Sequence, residues 1–486
     1  MTSCDDNSTP GALPGDPQRQ HYGLTFAALA LAAATFAVLQ SLVAPALPEI
    51  QRDLDASATA TTWVLTAYLL SASILTPIVG RLGDMFGKER TLVCSLGLLG
   101  AGTLLAALAT DINVLIVARV IQGAGGAIFP LAFGIIRDEF PRERVAHGIA
   151  LISAILGVGA GLGIVLAGPI VDALSYHWLF WFPFFLVVGT TIATVFFVPE
   201  SPIKVPGRVN WPGALLLSGW LVCLLVGISQ GVTWGWDDPR IAGLLAAAAV
   251  LLVLWIRNEQ RAAEPLVDMT MMRIRGVWTV NAAAFLVGAG MYSSFVLIPL
   301  FTEMPSSAGY GFHASITAAG LFLLPSTVMM LLISPLAGRL ANRVGSRVPL
   351  ILGSLATCLA FALLALAHGR PWEFYVGSAI LGLGIGLAFA SLTNLIVEAV
   401  PPCQTGVATG MNTVMRSLGG SVGSQIGASV IAATVVGNGL PTEHGFTVAF
   451  VVAAAACGLA ALASLAVPRP GAAAEHPARA LVADAA

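Results

Sequence analysis

Long runs of uncharged, mostly apolar positions alternate along this chain with short polar clusters. Crossing the hydrocarbon core of a bilayer takes about twenty apolar residues in a helix. Fourteen runs fit that description, at roughly 23–47, 59–80, 91–110, 112–136, 148–171, 178–198, 211–236, 240–256, 276–302, 314–338, 348–367, 374–397, 405–436 and 446–467. They are too long for barrel strands and do not alternate polar with apolar positions. The pattern predicts an all-α integral membrane protein with fourteen transmembrane helices.

Composition closes off the soluble alternatives. Of 486 residues, 57% are hydrophobic and 10% charged, whereas soluble domains carry roughly a quarter charged residues. The net charge of −2 says little; the placement of the charges says more. With both termini in the cytoplasm, inner loops and tails hold eighteen Lys and Arg, outer loops hold three (Arg52, Arg240, Arg370), and Arg119 and Arg416 fall inside spans. That bias is the positive-inside signal of a multi-pass plasma-membrane protein. Two lysines against 21 arginines, with abundant Ala and Gly, point to a GC-rich bacterial genome. The six cysteines show no CxxC spacing and read as small buried hydrophobes, not disulfides or metal ligands. The acidic N-terminus offers no basic region ahead of the first apolar run, so no removable signal peptide is expected.

The polar clusters repeat. "GRLGDMFGKER" (Gly80–Arg90) returns as "GRLANRVGSRV" (Gly338–Val348) at an offset of 258 residues. "QGAGGA" at Gln122 meets "LGLGIG" at Leu381, Glu139 lands on Glu398, and Gly148 on Gly406. Two parallel six-helix units follow, an arrangement known in secondary transporters. The expected organisation is a cytoplasmic tail (1–22), a six-helix bundle (23–198), a linker with inserted helices 7 and 8 and a cytoplasmic loop (199–275), a second six-helix bundle (276–467) and a cytoplasmic tail (468–486).

Within the first cluster, Gly80 and Gly83 allow close helix packing, and Gly87 allows a tight turn. Arg81, Lys88 and Arg90 hold the turn inside the cell. Asp84 needs a positive partner: a nearby arginine, or the N-terminal dipole of a helix in the other half, span 11 being one that starts at the inner face. A symmetric ionic lock is expected, with Glu139 on the cations of this cluster and Glu398 on Arg339 or Arg343. The second copy has Asn342 where Asp84 stands, so its latch should be weaker.

These residues carry a resemblance. The first cluster resembles the loop 2–3 signature of the major facilitator superfamily, G-x-L-x-D-x-x-G-x-x-R/K. "RVIQGAGGA" from Arg119 is similar to that family's span 4 signature, and "HWLFWFP" from His177 resembles the start of span 6 in its fourteen-helix drug:proton antiporter branch. The resemblance implies a secondary active transporter that exports a hydrophobic drug or antibiotic by alternating access in exchange for protons. An uptake carrier or uniporter of the same superfamily is the alternative. By the same resemblance Arg81, Asp84 and Arg90 form a cytoplasmic latch, and Arg119 takes part in proton coupling.

Two departures bear on coupling. Span 5 carries Gly157, Gly159, Gly161 and Gly163, but the antiporter branch's Gly-Pro pair is displaced to Gly168–Pro169. In span 1 the branch's aspartate is replaced by Leu39, beside Gln40, and no Asp, Glu, Lys or His lies mid-span. A proton site must then be sought at Glu303, Asp84 or Asp172. Gln40, Ser41, Gln122, Asn281, Tyr292 and Asn394, with aromatics such as Phe36, Phe129, Phe285 and Phe295, would line a pocket between spans 1, 4, 9 and 12, and Arg416 in span 13 is a second cavity candidate, unless that span starts later and leaves it at the inner rim. Such a pocket suits a lipophilic, neutral or weakly cationic molecule better than a sugar or a phosphate. No H-E-x-x-H, P-loop or G-x-S-x-G motif supports an enzyme. The expected partners are the substrate, protons and the bilayer, with no cofactor, metal or nucleic acid, and a monomeric state.

Overall fold

The computed structural model describes residues 22–43, 46–201, 209–401, 404–435 and 440–468. The two expected tails and the loop cations Lys204 and Arg208 lie outside them. Seventeen α-helices make up the described residues: α1 (Tyr22–Leu42), α2 (Leu47–Asp53), α3 (Ala58–Phe86), α4 (Lys88–Ala107), α5 (Ile112–Gln122), α6 (Ile128–Glu139), α7 (Arg142–Ala173), α8 (Trp178–Phe197), α9 (Trp211–Trp234), α10 (Pro239–Arg261), α11 (Met269–Arg273), α12 (Arg275–Thr302), α13 (Ile316–Val344), α14 (Arg347–Leu366), α15 (Pro371–Ala399), α16 (Thr405–Ala432) and α17 (Glu443–Leu465). α5 and α6 are one span, joined by a 3-10 turn over the glycine-rich Gly123–Ala127. α2 and α11 are short helices between spans.

Thirteen helices among the described residues are long and apolar enough to cross a membrane. The fourteenth predicted span is α16, which is 28 residues long but rich in Thr, Asn, Ser and Gly and carries Arg416. Its polarity keeps it below the hydropathy of the others, and it is packed among α3, α6, α9, α12, α15 and α17. α10 is the opposite case, packed against little besides α9 and left with an apolar outer face.

Start signals follow local chemistry. The side chains of Ser57, Asp111, Asn210, Asp238, Ser315 and Thr442 each accept a hydrogen bond from a first-turn amide of the helix they precede, which satisfies one of its unpaired donors. The "GRLGDMFGKER" cluster is mostly helix, against the expectation of a loop. α3 runs on through Asp84 to Phe86, and the reversal is confined to Gly87, with φ of 112°. Gly345 does the same between α13 and α14, with φ of 83°. Only glycine takes such angles without strain.

Apolar side chains gather in two large cores. One joins α1–α8 and the 3-10 turn; the other joins α12–α17 together with α9, α10 and α11. The inserted pair thus shares its core with the C-terminal helices. Two seams connect the cores, α3 with α16 and α7 with α13, which exchange under the 258-residue repeat.

Candidate functional site: a latched seam below a central cavity

α7 meets α13 along most of its length. A β-carbon at Gly157, Gly161 or Gly168 would strike Met330, Thr327 or Thr317 of α13. Toward the Gly87 end, Gly338 lies so close that a β-carbon would stand 3.0 Å from the Cα of His147. The other face of α7 bears Gly159 and Gly163, which admit Ala37 and Ser41 of α1. Ser41 Oγ donates to the Gly159 carbonyl at 3.2 Å. The predicted glycine signature therefore splits into two four-residue spacings on opposite faces, each allowing close backbone approach. Pro169 lies inside α7 without ending it.

The α3–α16 seam is close only at the Gly87 end. Gly80 and Gly406 face each other; a β-carbon on either would come to 2.7 Å from the other's carbonyl oxygen. Further along α16, Gly419, Gly420 and Gly423 rest instead on Phe285, Tyr292 and Ala289 of α12. The helices part, and a cavity of about 40 Å³ opens between them. It is lined by Phe36, Gln40, Tyr68, Leu69, Ala72, Ser73, Thr76, Gly126, Phe129, Leu156, Tyr292, Thr413, Val414, Arg416 and Ser417. That volume holds water but not a drug-sized molecule.

A polar cluster closes the seam beneath it. Asp84 is 1% exposed. Its carboxylate accepts from the Gly406 N–H at 3.3 Å and the Val407 N–H at 3.2 Å, in the first turn of α16. The partner is thus a helix N-terminus, as the sequence allowed, but that of span 13 and not span 11. Span 13 is the helix whose Gly406 lets the backbone approach Gly80. Lys88, fully buried, lies 3.7 Å from Asp84 and 2.6 Å from Asp138, and Ser201 donates to Asp138. Arg137 reaches across to the Val400 carbonyl at 2.7 Å and the Thr405 hydroxyl at 2.6 Å.

The expected lock is differently built. The carboxylate on the buried cation is Asp138, not its neighbour Glu139, because Asp138 is the one turned toward α4. Arg90 lies 3.3 Å from Glu200, and Arg81 is half-buried with its Nε unpartnered. On the other seam Glu398 accepts from Ser346 Oγ at 2.9 Å, in place of an ion pair with Arg339 or Arg343, whose side chains are exposed. Asn342 donates to the Glu143 carbonyl at 3.3 Å, in the first turn of α7. Arg137, Lys88 and Asp138 are the residues the sequence reading underweighted. The unbroken charge run Arg137–Asp138–Glu139 and the four-residue spacing of Asp84 and Lys88 were the available signals.

The intramembrane residues distribute unevenly. Arg119 is fully buried but points away from the cavity. It stacks 4.1 Å over Tyr68, donates to the Val64 carbonyl at 3.1 Å and to Gln122 Oε1 at 2.7 Å, and keeps one NH2 nitrogen unpaired. Gln122 in turn donates to Thr103 at 3.1 Å. Asn281 accepts from Asn412 at 2.9 Å, and Asn394 donates to the Ala146 carbonyl at 3.5 Å. These residues join helices and do not line the cavity. Gln40 and Arg416 do line it. Arg416 sits three turns into α16, so the mid-span reading holds over the rim reading, and its guanidinium lies 4.5 Å over Phe389. Glu303, beyond the end of α12, has an exposed side chain whose partial burial raises its pKa. Of the expected aromatics, Phe36 and Phe129 line the cavity and Phe285 and Phe295 do not. Tyr68, Ser73 and Thr76 come from α3, a span the pocket expectation left out, and Thr413 and Ser417 stand beside Arg416 on α16.

A polytopic helical bundle with a repeat-related pair of seams and a small polar cavity between them is the architecture of a membrane carrier. The chain matches the Major Facilitator Superfamily over residues 29–424 and belongs to that family. It is 30% identical to Multidrug resistance protein 3 of Bacillus subtilis (strain 168), over 76% of this chain and 71% of that one. It is 28% identical to the Tetracenomycin C resistance and export protein of Streptomyces glaucescens, over 79% and 71%, and 30% identical to the Lincomycin resistance protein of Streptomyces lincolnensis, over 77% and 78%. Among solved structures, the human organic anion transporter MFSD10 (TETRAN) superposes with a TM-score of 0.65 at 16% identity, covering 93% of this chain and all of that one. That likeness concerns the fold.

Proposed function

We propose that this protein is a bacterial plasma-membrane exporter of lipophilic drugs or antibiotics that works by alternating access, with both termini and the Gly87 end in the cytoplasm. In this reading the two six-helix bundles rock about the cavity, and the conformation described is closed toward the cytoplasm. One observation carries the reading: the Asp84 carboxylate of one bundle caps the first turn of α16 in the other, directly below the cavity. A helix N-terminus attracts an anion through its free amides and dipole. The contact holds only while the seam is shut, so it stabilises one state of a two-state carrier. The names of the relatives supply the substrate class and the direction of transport.

Susceptibility of an efflux-deficient bacterial host tests the proposal. The wild-type chain should raise the inhibitory concentration of several lipophilic antibiotics at least fourfold, and Asp84→Asn should lower that gain. An unchanged panel with the wild-type chain at verified membrane levels rejects drug export. Proton exchange is the finer part of the proposal. Collapsing the proton gradient should abolish export from everted vesicles. Export that survives favours a uniporter, a reading kept in play by the cavity's lack of any Asp or Glu among its described lining residues.

A further inference from the structure

The charge at the cavity is one-sided. Arg416, 6% exposed, lines the cavity, and its polar atoms have no carboxylate within ion-pairing distance among the described residues. Behind the cavity wall stands Arg119, held against Tyr68, with a guanidinium nitrogen that has no hydrogen-bond partner. The Phe389 ring offsets part of the Arg416 charge from one side only. A cation in a low-dielectric interior is costly unless something brings a counter-charge.

The lining fits that something. Apolar and aromatic groups (Phe36, Phe129, Leu69, Leu156) form one part of the wall, and neutral donors (Gln40, Tyr68, Tyr292) face the same space as Arg416. The aromatic part is continuous: Phe36 packs 6.1 Å from Tyr68 and 6.0 Å from Phe129 between ring centres. In the described conformation the space, about 40 Å³, holds only water; once the α3–α16 seam opens and widens it, a flat apolar body would lie along this wall, with a compact anionic group on the guanidinium.

Building on the exporter reading above, we infer that the cavity is made for amphipathic organic anions, aryl carboxylates or phenolates whose acidic group seats on Arg416. This replaces the neutral or weakly cationic substrate that the sequence suggested. It also removes the need for a protein carboxylate in coupling. An interior-negative potential itself drives a monoanion outward.

The test uses the full chain in lipid nanodiscs and three probes with one ring system: 2-naphthoate, 2-naphthamide and 2-naphthylmethylammonium. Binding is measured by calorimetry against empty nanodiscs. The wild type should bind naphthoate at least about tenfold more tightly than the amide, the range of a charge-assisted hydrogen bond. Arg416→Gln should erase that preference, and Arg416→Lys should keep part of it. Thermal unfolding of each variant reports whether it is folded. If Arg416→Gln does not fold, the wild-type ranking and the lysine variant decide. Equal binding of amide and carboxylate, tighter binding of the ammonium, absence of naphthoate binding, or an anion preference unchanged in folded Arg416→Gln overturns the inference. If the ammonium binds and the host panel shows resistance, the exporter stands and only the anion site falls. If resistance is absent but naphthoate binds through Arg416, the site stands and the exporter reading falls.

Discussion

The two seams between the bundles occupy equivalent places in the repeat and are built from opposite materials. At the Gly87 end of α3–α16, Asp84 meets two backbone amides and Lys88 joins it to Asp138, all buried. At the Gly345 end of α13–α7, Asn342 donates to one carbonyl and Ser346 to Glu398. Asp84, Lys88 and Asp138 have neutral counterparts, Asn342, Ser346 and Ile396, 258 positions on. The glycines reverse the order of strength: α7–α13 is close-packed from end to end, whereas α3–α16 touches near Gly80 and then parts. A seam fastened by directional charge at one end can be released as a unit. A seam fastened by packing along its length serves better as the fixed axis.

Lys88→Met attacks the difference hardest. It leaves Asp84 and Asp138 buried without their ion-pair partner, and one-sided removal from a buried ion pair costs about 3–5 kcal/mol. The thermal midpoint of the purified protein should fall by several degrees; an unchanged midpoint would mean that the cluster adds no net stability. Gly161→Leu tests the packed seam, since the new side chain must displace Thr327. Overpacking of this kind typically costs about 1–3 kcal/mol, and both stability and transport should drop. Gly97→Leu is the control, with nothing near its missing β-carbon. If the two variants behave alike, the seam is not tight in the membrane.

Asp84→Asn keeps the shape and removes the charge. It removes the Lys88 ion pair and one of the two amide contacts, charge-assisted contacts being worth about 1.5–3 kcal/mol each, and should leave the fold intact and shift the seam toward its open form. Spin-label distances between the Gly87 end of α3 and the start of α16 should broaden or lengthen. Ser346→Ala and Asn342→Ala probe the second copy and should change transport by less than about fivefold, as single hydrogen bonds of roughly 1 kcal/mol allow. Effects equal to those at Asp84 would erase the contrast between the seams.

Much of this was legible in the sequence. Thirteen of the fourteen expected spans, the repeat and the clustering of charge follow from hydropathy and spacing, because lipid forces every exposed face to be apolar. The special role of Asp84 was legible as well, since a lone carboxylate at a span end needs a partner. The identity of its partner was not, because it depends on which helix of the other bundle Gly80 can touch. Asp138 and Glu139 are neighbours, and only helix rotation decides which faces Lys88. The pocket expectation reached α16 only through Arg416 and omitted α3, because spacing along the chain does not show where two helices part. Their divergence arises where the glycines of α16 turn to α12.

The polarity of α16 has a consequence for how the protein is made. A helix centred on Arg416 and flanked by Ser, Thr and Asn gains little by leaving the translocon for lipid alone, where a central arginine costs about 2.5–3.5 kcal/mol. Its stable neighbours α3 and α12 are synthesised first. Biogenesis therefore requires α16 to enter the bilayer against protein, with α17 behind it as an apolar anchor, and ribosome-bound chains truncated before α17 should leave α16 accessible to aqueous labelling.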